Sequence, residues 1–152
     1  MKITLCASAR FFDKLRDIQK SLEQRGYTVF LPSMVDYHHL EETALAKIHY
    51  SLMKNHFQKI DQSDAIYVAN YQKNGIEGHI GGSCFLEMGK AFDRGIPIFL
   101  MNDIPQQSSY REELLTLQPI VVGEDWDTLD RLLQNSYRNH PTPTLRHSSE
   151  KR

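Results

Sequence analysis

Five short apolar runs, each separated from the next by a segment of helical character, constrain this chain more than any other feature. "KITLCA", "YTVFL", "AIYVA", "IPIFLM" and "PIVV" are rich in β-branched and aliphatic residues and have the length of buried strands. Phe11, Leu15, Ile18 and Leu22 follow the first run at helical spacing, and Gly26 stands where a helix-ending glycine belongs. Leu45, Ile48, Leu52 and Ile60 mark a long helix over 41–60, and a further helix is expected over 83–94, facing inward through Phe85, Met88 and Phe92. Ser109 and Glu112 have the spacing of a capping box, and Asp125 can cap a last helix carried by Leu129, Leu132 and Leu133.

Strands that alternate with helices imply a parallel sheet covered on both faces. The expected fold is therefore an α/β doubly wound, flavodoxin-like sheet of five parallel strands in the order 2-1-3-4-5, forming three α/β/α layers. Sheets of this kind bind ligands beyond the carboxyl ends of the strands, where the strand order reverses. Here that point lies between the loops after Ala7 and after Ala69.

With 152 residues the chain suits one domain, expected over 1–138. The segment 139–152, "NHPTPTLRHSSEKR", has too little to bury and is expected to be a mobile tail. Eighteen basic residues balance nineteen acidic ones, which argues against nucleic acid as a partner. No apolar run is long enough to span a membrane, and "MKITLCASA" is too short to be a signal segment, so the expected location is cytoplasmic. Two cysteines, Cys6 and Cys84, cannot build a disulfide framework and are expected to pack as small buried groups. They lie near the two sides of the expected mouth. His38, His39, His49 and His56 show no metal-ligand spacing, so neither a metal nor a cofactor is expected.

The richest stretch is "NYQKNGIEGHIGGSCFLEMGKAF" over 70–92, which holds five of the eight glycines. It is not a Walker loop, because Gly82 through Gly89-Lys90-Ala91 has the wrong spacing and no hydroxyl for magnesium. The first strand likewise runs into "CASARF", without the glycines of a dinucleotide fingerprint. Glu87 falls about one turn into the following helix, with Ser83 on its face. It is either a solvated glutamate near a helix start or a carboxyl aimed at a ligand. Ser8 fits both a helix cap and a ligand contact, and Arg10 could hold an anionic group beside it. Asn70 can form a turn or meet a ligand. Asp64 can end the preceding helix or act in the site.

"SDAIYVAN…GGSCFLEMGKAFDRGIPIFLM" resembles the nucleoside 2-deoxyribosyltransferases and the related 2′-deoxynucleoside 5′-monophosphate N-hydrolases. The matching residues are Asp64, the run Glu87-Met88-Gly89-Lys90-Ala91, and Gly95-Ile96-Pro97, with Ser8-Ala9-Arg10 similar to the hydrolase branch. The likeness covers roughly residues 3 to 103. It implies cleavage of an N-glycosidic bond, with Glu87 as nucleophile and Asp64 orienting the substrate and assisting the leaving base. It also implies that Ser8, Arg10 and Ser83 hold a 5′-phosphate, that Gly81 and Gly82 approach the ligand, and that the chain forms a homodimer or larger oligomer. Gly81 stands where the transferases carry an aspartate, and "KNGIEGHIGG" is not their loop, which favours a hydrolase in an uncharacterised branch. The rival expectation is a non-catalytic sensor of a nucleotide or ADP-ribose-type ligand.

Overall fold

The computed structural model of the chain describes residues 1–34 and 41–139. Five strands form one sheet in the order β2-β1-β3-β4-β5: β1 Lys2–Cys6, β2 Thr28–Phe30, β3 Ala65–Val68, β4 Ile98–Leu100 and β5 Ile120–Val121. All four pairings are parallel, with Ile3 opposite both Val29 and Ala65, Ile66 opposite Ile98, and Phe99 opposite Ile120. This is the expected α/β class and the expected strand order.

Successive residues of the strands feed two cores, as the pleat requires. Ile3, Leu5, Tyr67 and Phe99 pack on one face against Leu15, Ile18 and Leu22 of α1 (Leu15–Glu23) and Leu129 and Leu133 of α5 (Trp126–Asn139). Cys6, Ile66, Val68, Ile98 and Leu100 pack on the other face, against α2 (Glu42–Asp61), α3 (Gly82–Asp93) and α4 (Arg111–Thr116). A 3-10 segment, Ala9–Lys14, joins β1 to α1 and takes up Phe11, which the spacing had placed in the helix itself.

Three expectations about the helices change. In α2 the fully buried residues are His56 and Ile60, while Leu45, Ile48 and Leu52 are half-buried, so this helix packs through its C-terminal half. In α3 the buried stripe is Cys84, Met88 and Ala91, whereas Phe92 is exposed and Phe85 stacks on Tyr110, ring centroids 4.8 Å apart. The helix is thus rotated relative to the expected face, which brings Glu87 onto the covered side. The capping box of Ser109 and Glu112 does not form, because the N-cap of α4 is Tyr110, one residue late, without a side-chain cap. Asp125 does cap α5: its carboxylate accepts the Thr128 N–H at 3.0 Å and the Thr128 hydroxyl at 2.7 Å.

Among the described residues no helix is long and apolar enough to cross a membrane. His38, His39 and residues 140–152 of the expected tail lie outside the described residues.

Candidate active site

At the carboxyl end of β1 three side chains from distant parts of the sequence converge. Cys6 ends the strand, His56 comes from α2, and Glu87 comes from the second turn of α3. Their sulfur, nitrogen and oxygen atoms all lie within 4.8 Å of one another. Cys6 Sγ and His56 Nε2 are in hydrogen-bond contact at 3.4 Å. His56 Nε2 lies 3.8 Å from Glu87 Oε2, beyond hydrogen-bond reach. Glu87 Oε2 and His56 Nδ1 are buried and have no hydrogen-bond partner among the described residues.

Burial sets the charge state of this cluster. It raises the Glu87 carboxyl from its usual value to about 7, and the neighbouring Cys6 thiol offsets part of that rise. Burial, with the nearby Lys59 charge, lowers the His56 imidazole to about 4, so the ring is neutral near pH 7 and makes no ion pair with Glu87. Burial together with the Glu87 charge pushes the Cys6 and Cys84 thiols well up, which keeps both as thiols. A carboxyl with a 14% exposed side chain and a value near neutrality is the kind of group that sites of acid, base or nucleophilic chemistry hold.

The glycine-rich stretch after β3 folds into a tight hairpin. Lys73 and Ile76 exchange both backbone hydrogen bonds at 3.0 Å, closing a two-residue hairpin through Asn74 and Gly75, whose φ angles are 52° and 76°. Positive φ at both central residues is the type I′ turn that Asn-Gly favours. The hairpin carries Lys73 to Ser8, with Nζ donating to Oγ at 2.8 Å. The Lys73 charge also acts on Cys84 in the first turns of α3. Beside it Phe11 and Tyr71 lie 5.1 Å apart, with the Lys14 ammonium 4.8 Å above the Tyr71 ring.

Each site residue expected from the sequence now has a place. Ser8 does not cap the 3-10 segment through its side chain; it accepts from Lys73 instead. Arg10 is exposed two residues further on. Gly81 is the N-cap residue of α3 and offers no side-chain cap, and Gly82 opens the helix with free space where a β-carbon would stand. Ser83 is exposed in the same first turn.

Asn70 is 2% exposed, and its amide is used within the protein. It donates to the carbonyls of Gly78 (3.1 Å) and Asn102 (2.8 Å) and accepts the Asn102 N–H at 2.9 Å. It therefore holds the loop to the end of β4.

Asp64 is not brought to Glu87. It precedes β3 at the amino end of the sheet, where its carboxylate accepts the Lys2 N–H at 2.7 Å and its own N–H donates to the Lys2 carbonyl at 2.8 Å. Four strand residues, about 13 Å at ~3.3 Å each, separate it from the mouth. The role in leaving-group chemistry that the resemblance implied for it has no geometric support.

Sequence reasoning missed His56, Cys6 and Lys73 as partners in this region. The signal for His56 was present: it fills the gap between Leu52 and Ile60, four residues from each, on the stripe that faces the sheet. A groove of about 470 Å³ between α2, α3 and α4, lined by Phe57, Phe85, Leu86 and Leu117, contains none of the site residues.

No family model and no curated protein matches the chain. Among solved structures, it is similar to a conserved protein from Enterococcus faecalis, with a TM-score of 0.52 and 18% identity over 89% of this chain and 98% of that one. It is also similar to a Clostridium botulinum CMP N-glycosidase, at TM-score 0.49 and 16% identity over 89% and 99% of the two chains. A 2-deoxyribosyltransferase from Bacillus psychrosaccharolyticus follows at TM-score 0.45 and 20% identity, over 80% and 98%. At these identities the likeness is one of fold, and the first of the three carries it.

Proposed function

We propose that this protein cleaves the N-glycosidic bond of a nucleoside or nucleoside 5′-monophosphate, with Glu87 as the nucleophile. The observation that carries the reading is the position of Glu87. A carboxyl with a 14% exposed side chain lies beside Cys6 at the end of β1, at the point where strand order reverses, and the loop after that strand carries Ser8, bonded to Lys73. The run Glu87-Met88-Gly89-Lys90-Ala91 gives that position its chemical interpretation through the resemblance described above.

In the proposed reaction a Glu87 oxygen bonds to the anomeric carbon as the bond to the base nitrogen breaks. The bonding pair leaves with the base, which takes a proton from solvent. Water then cleaves the glycosyl ester, returning the Glu87 carboxylate and releasing the sugar. A cationic substrate carbon approaching Glu87 favours its ionised form and counters the burial that raises the carboxyl's pKa. Lys73, Ser8 and the uncapped N-terminus of α3 would receive a 5′-phosphate. Gly81, in place of an acid that would read a base, favours water over a second base as acceptor.

Incubation with a panel of nucleosides and 5′-monophosphates should release free base, and Glu87→Ala should abolish that release. Intact mass spectrometry after exposure to 2′-fluoro nucleosides should find a glycosyl adduct on the wild type alone. Saturable binding without base release from any substrate would instead support the sensor reading and overturn this one.

A further inference from the structure

We propose that Cys6 Sγ, His56 Nε2 and Glu87 Oε2 together form a binding site for a zinc-class divalent cation. The three donors come from β1, α2 and α3, so the fold rather than a sequence motif assembles them. One of the distances between them is already that of a coordination shell, and a second is slightly longer. A tetrahedral zinc with Zn–S of about 2.3 Å and Zn–N or Zn–O of about 2.0–2.1 Å sets its ligands roughly 3.3–3.6 Å apart. The observed sulfur-to-nitrogen distance is 3.4 Å and the nitrogen-to-oxygen distance 3.8 Å. Small rotamer adjustments would therefore close the shell.

The donor set selects the metal. A thiolate, an imidazole and a carboxylate suit zinc, whereas magnesium and calcium require shells of oxygen. The site is also incomplete in polar terms. Glu87 Oε2 is buried without a partner, and a cation among the three donors would supply one. Ligation releases the Cys6 proton to solvent and involves no change of oxidation state. Three protein ligands leave a tetrahedral ion one further position. Cys84, three residues before Glu87 and buried on the same helix, is a further thiol on that side.

One consequence rests on the proposed function. A cation held by Glu87 occupies the oxygen that would attack the sugar, so zinc would inhibit base release. Cation binding itself does not depend on that reading.

The test uses the full chain, stripped with a chelator and titrated with Co²⁺ as a spectroscopic substitute for Zn²⁺. The expected result is one Co²⁺ per chain, with a near-ultraviolet thiolate charge-transfer band and tetrahedral bands in the visible, all lost on adding an equivalent of Zn²⁺. Cys6→Ser should remove the charge-transfer band. His56→Gln and Glu87→Gln should each weaken Zn²⁺ binding at least ~10-fold, while His49→Asn, at an exposed position of the same helix, should bind as the wild type does. Co²⁺ bound by the wild type without a thiolate band, or not bound at all, overturns the proposal whether or not the variants fold. Folded Cys6→Ser and His56→Gln proteins that bind as tightly as the wild type overturn it too. A chain that binds Co²⁺ through Cys6 but, when metal-free, releases no base from any substrate upholds the cation site and overturns the glycosidase reading.

Discussion

The Lys73 ammonium donates to the Ser8 hydroxyl at 2.8 Å, joining the glycine-rich hairpin to the first residues after β1. The contact places a positive charge at the loop that follows β1. If a 5′-monophosphate is the substrate, its phosphate is the natural replacement for Ser8 as the partner of Lys73. Lys73→Met should then raise KM for the monophosphate by roughly 10- to 100-fold, the worth of a charge-assisted hydrogen bond. The KM of the matching nucleoside should hardly change. Equal effects on both substrates would remove Lys73 from phosphate recognition.

Glu87 makes the folded protein sensitive to pH in a direction opposite to that of a salt-bridged acid. Its folded-state value is raised from 4.5 to about 7, so the folded state holds this proton more tightly than the unfolded chain does. The destabilisation is absent below about pH 4.5, grows as pH rises, and is complete above about pH 7. In chelator-treated protein, Glu87→Gln should be more stable than wild type by roughly 1–3 kcal/mol at about pH 8. The gap should vanish near pH 4, and denaturant melts at the two pH values measure it. Equal stability at both would mean that the carboxyl is not held in a desolvated site.

Asp64 separates the resemblance from the geometry. Placed at the amino end of the sheet and bonded to the Lys2 backbone, it should contribute to stability and not to turnover. Asp64→Ala should cost about 1 kcal/mol in a denaturant melt and leave kcat for base release within about twofold of wild type. A loss of kcat comparable to that of Glu87→Ala would restore Asp64 to the reaction.

Gly78 shows how tightly the glycine-rich stretch is fitted. A β-carbon there would lie 2.3 Å from the Asp103 carbonyl oxygen and 3.3 Å from Asn70 Nδ2, at a φ of +67°. No side-chain rotation relieves a clash with backbone. Gly78→Ala should destabilise the protein by roughly 2–4 kcal/mol and loosen the Asn70–Asn102 contacts, read as faster amide exchange at Asn102. Gly75→Ala, in open space but also at positive φ, should cost less, about 1 kcal/mol.

What the sequence determined by itself is whatever depends on local pattern. The five apolar runs and the helical spacings between them led to the parallel sheet and its order, because period and run length dictate which elements can bury each other. Asp125 was legible as a cap because capping acts over three residues. Glu87 was legible as a candidate because the motif around it is contiguous.

Tertiary structure decided what depends on the rotation of whole elements. The expected inner stripe of α3, Phe85, Met88 and Phe92, kept only Met88, now flanked by Cys84 and Ala91, and that rotation placed Glu87 against Cys6. Phe85 found Tyr110, a partner from another helix that no spacing within α3 could reveal. Asp64 and Asn70 border the same strand, yet one lies at its closed end and the other is consumed by a loop contact. His56 joined the site from α2, because a helix crossing the sheet brings together residues that the chain separates by fifty positions. Local periodicity specifies which elements form, but the choice of buried face is made by packing between them, and the chemistry of the site follows from that choice.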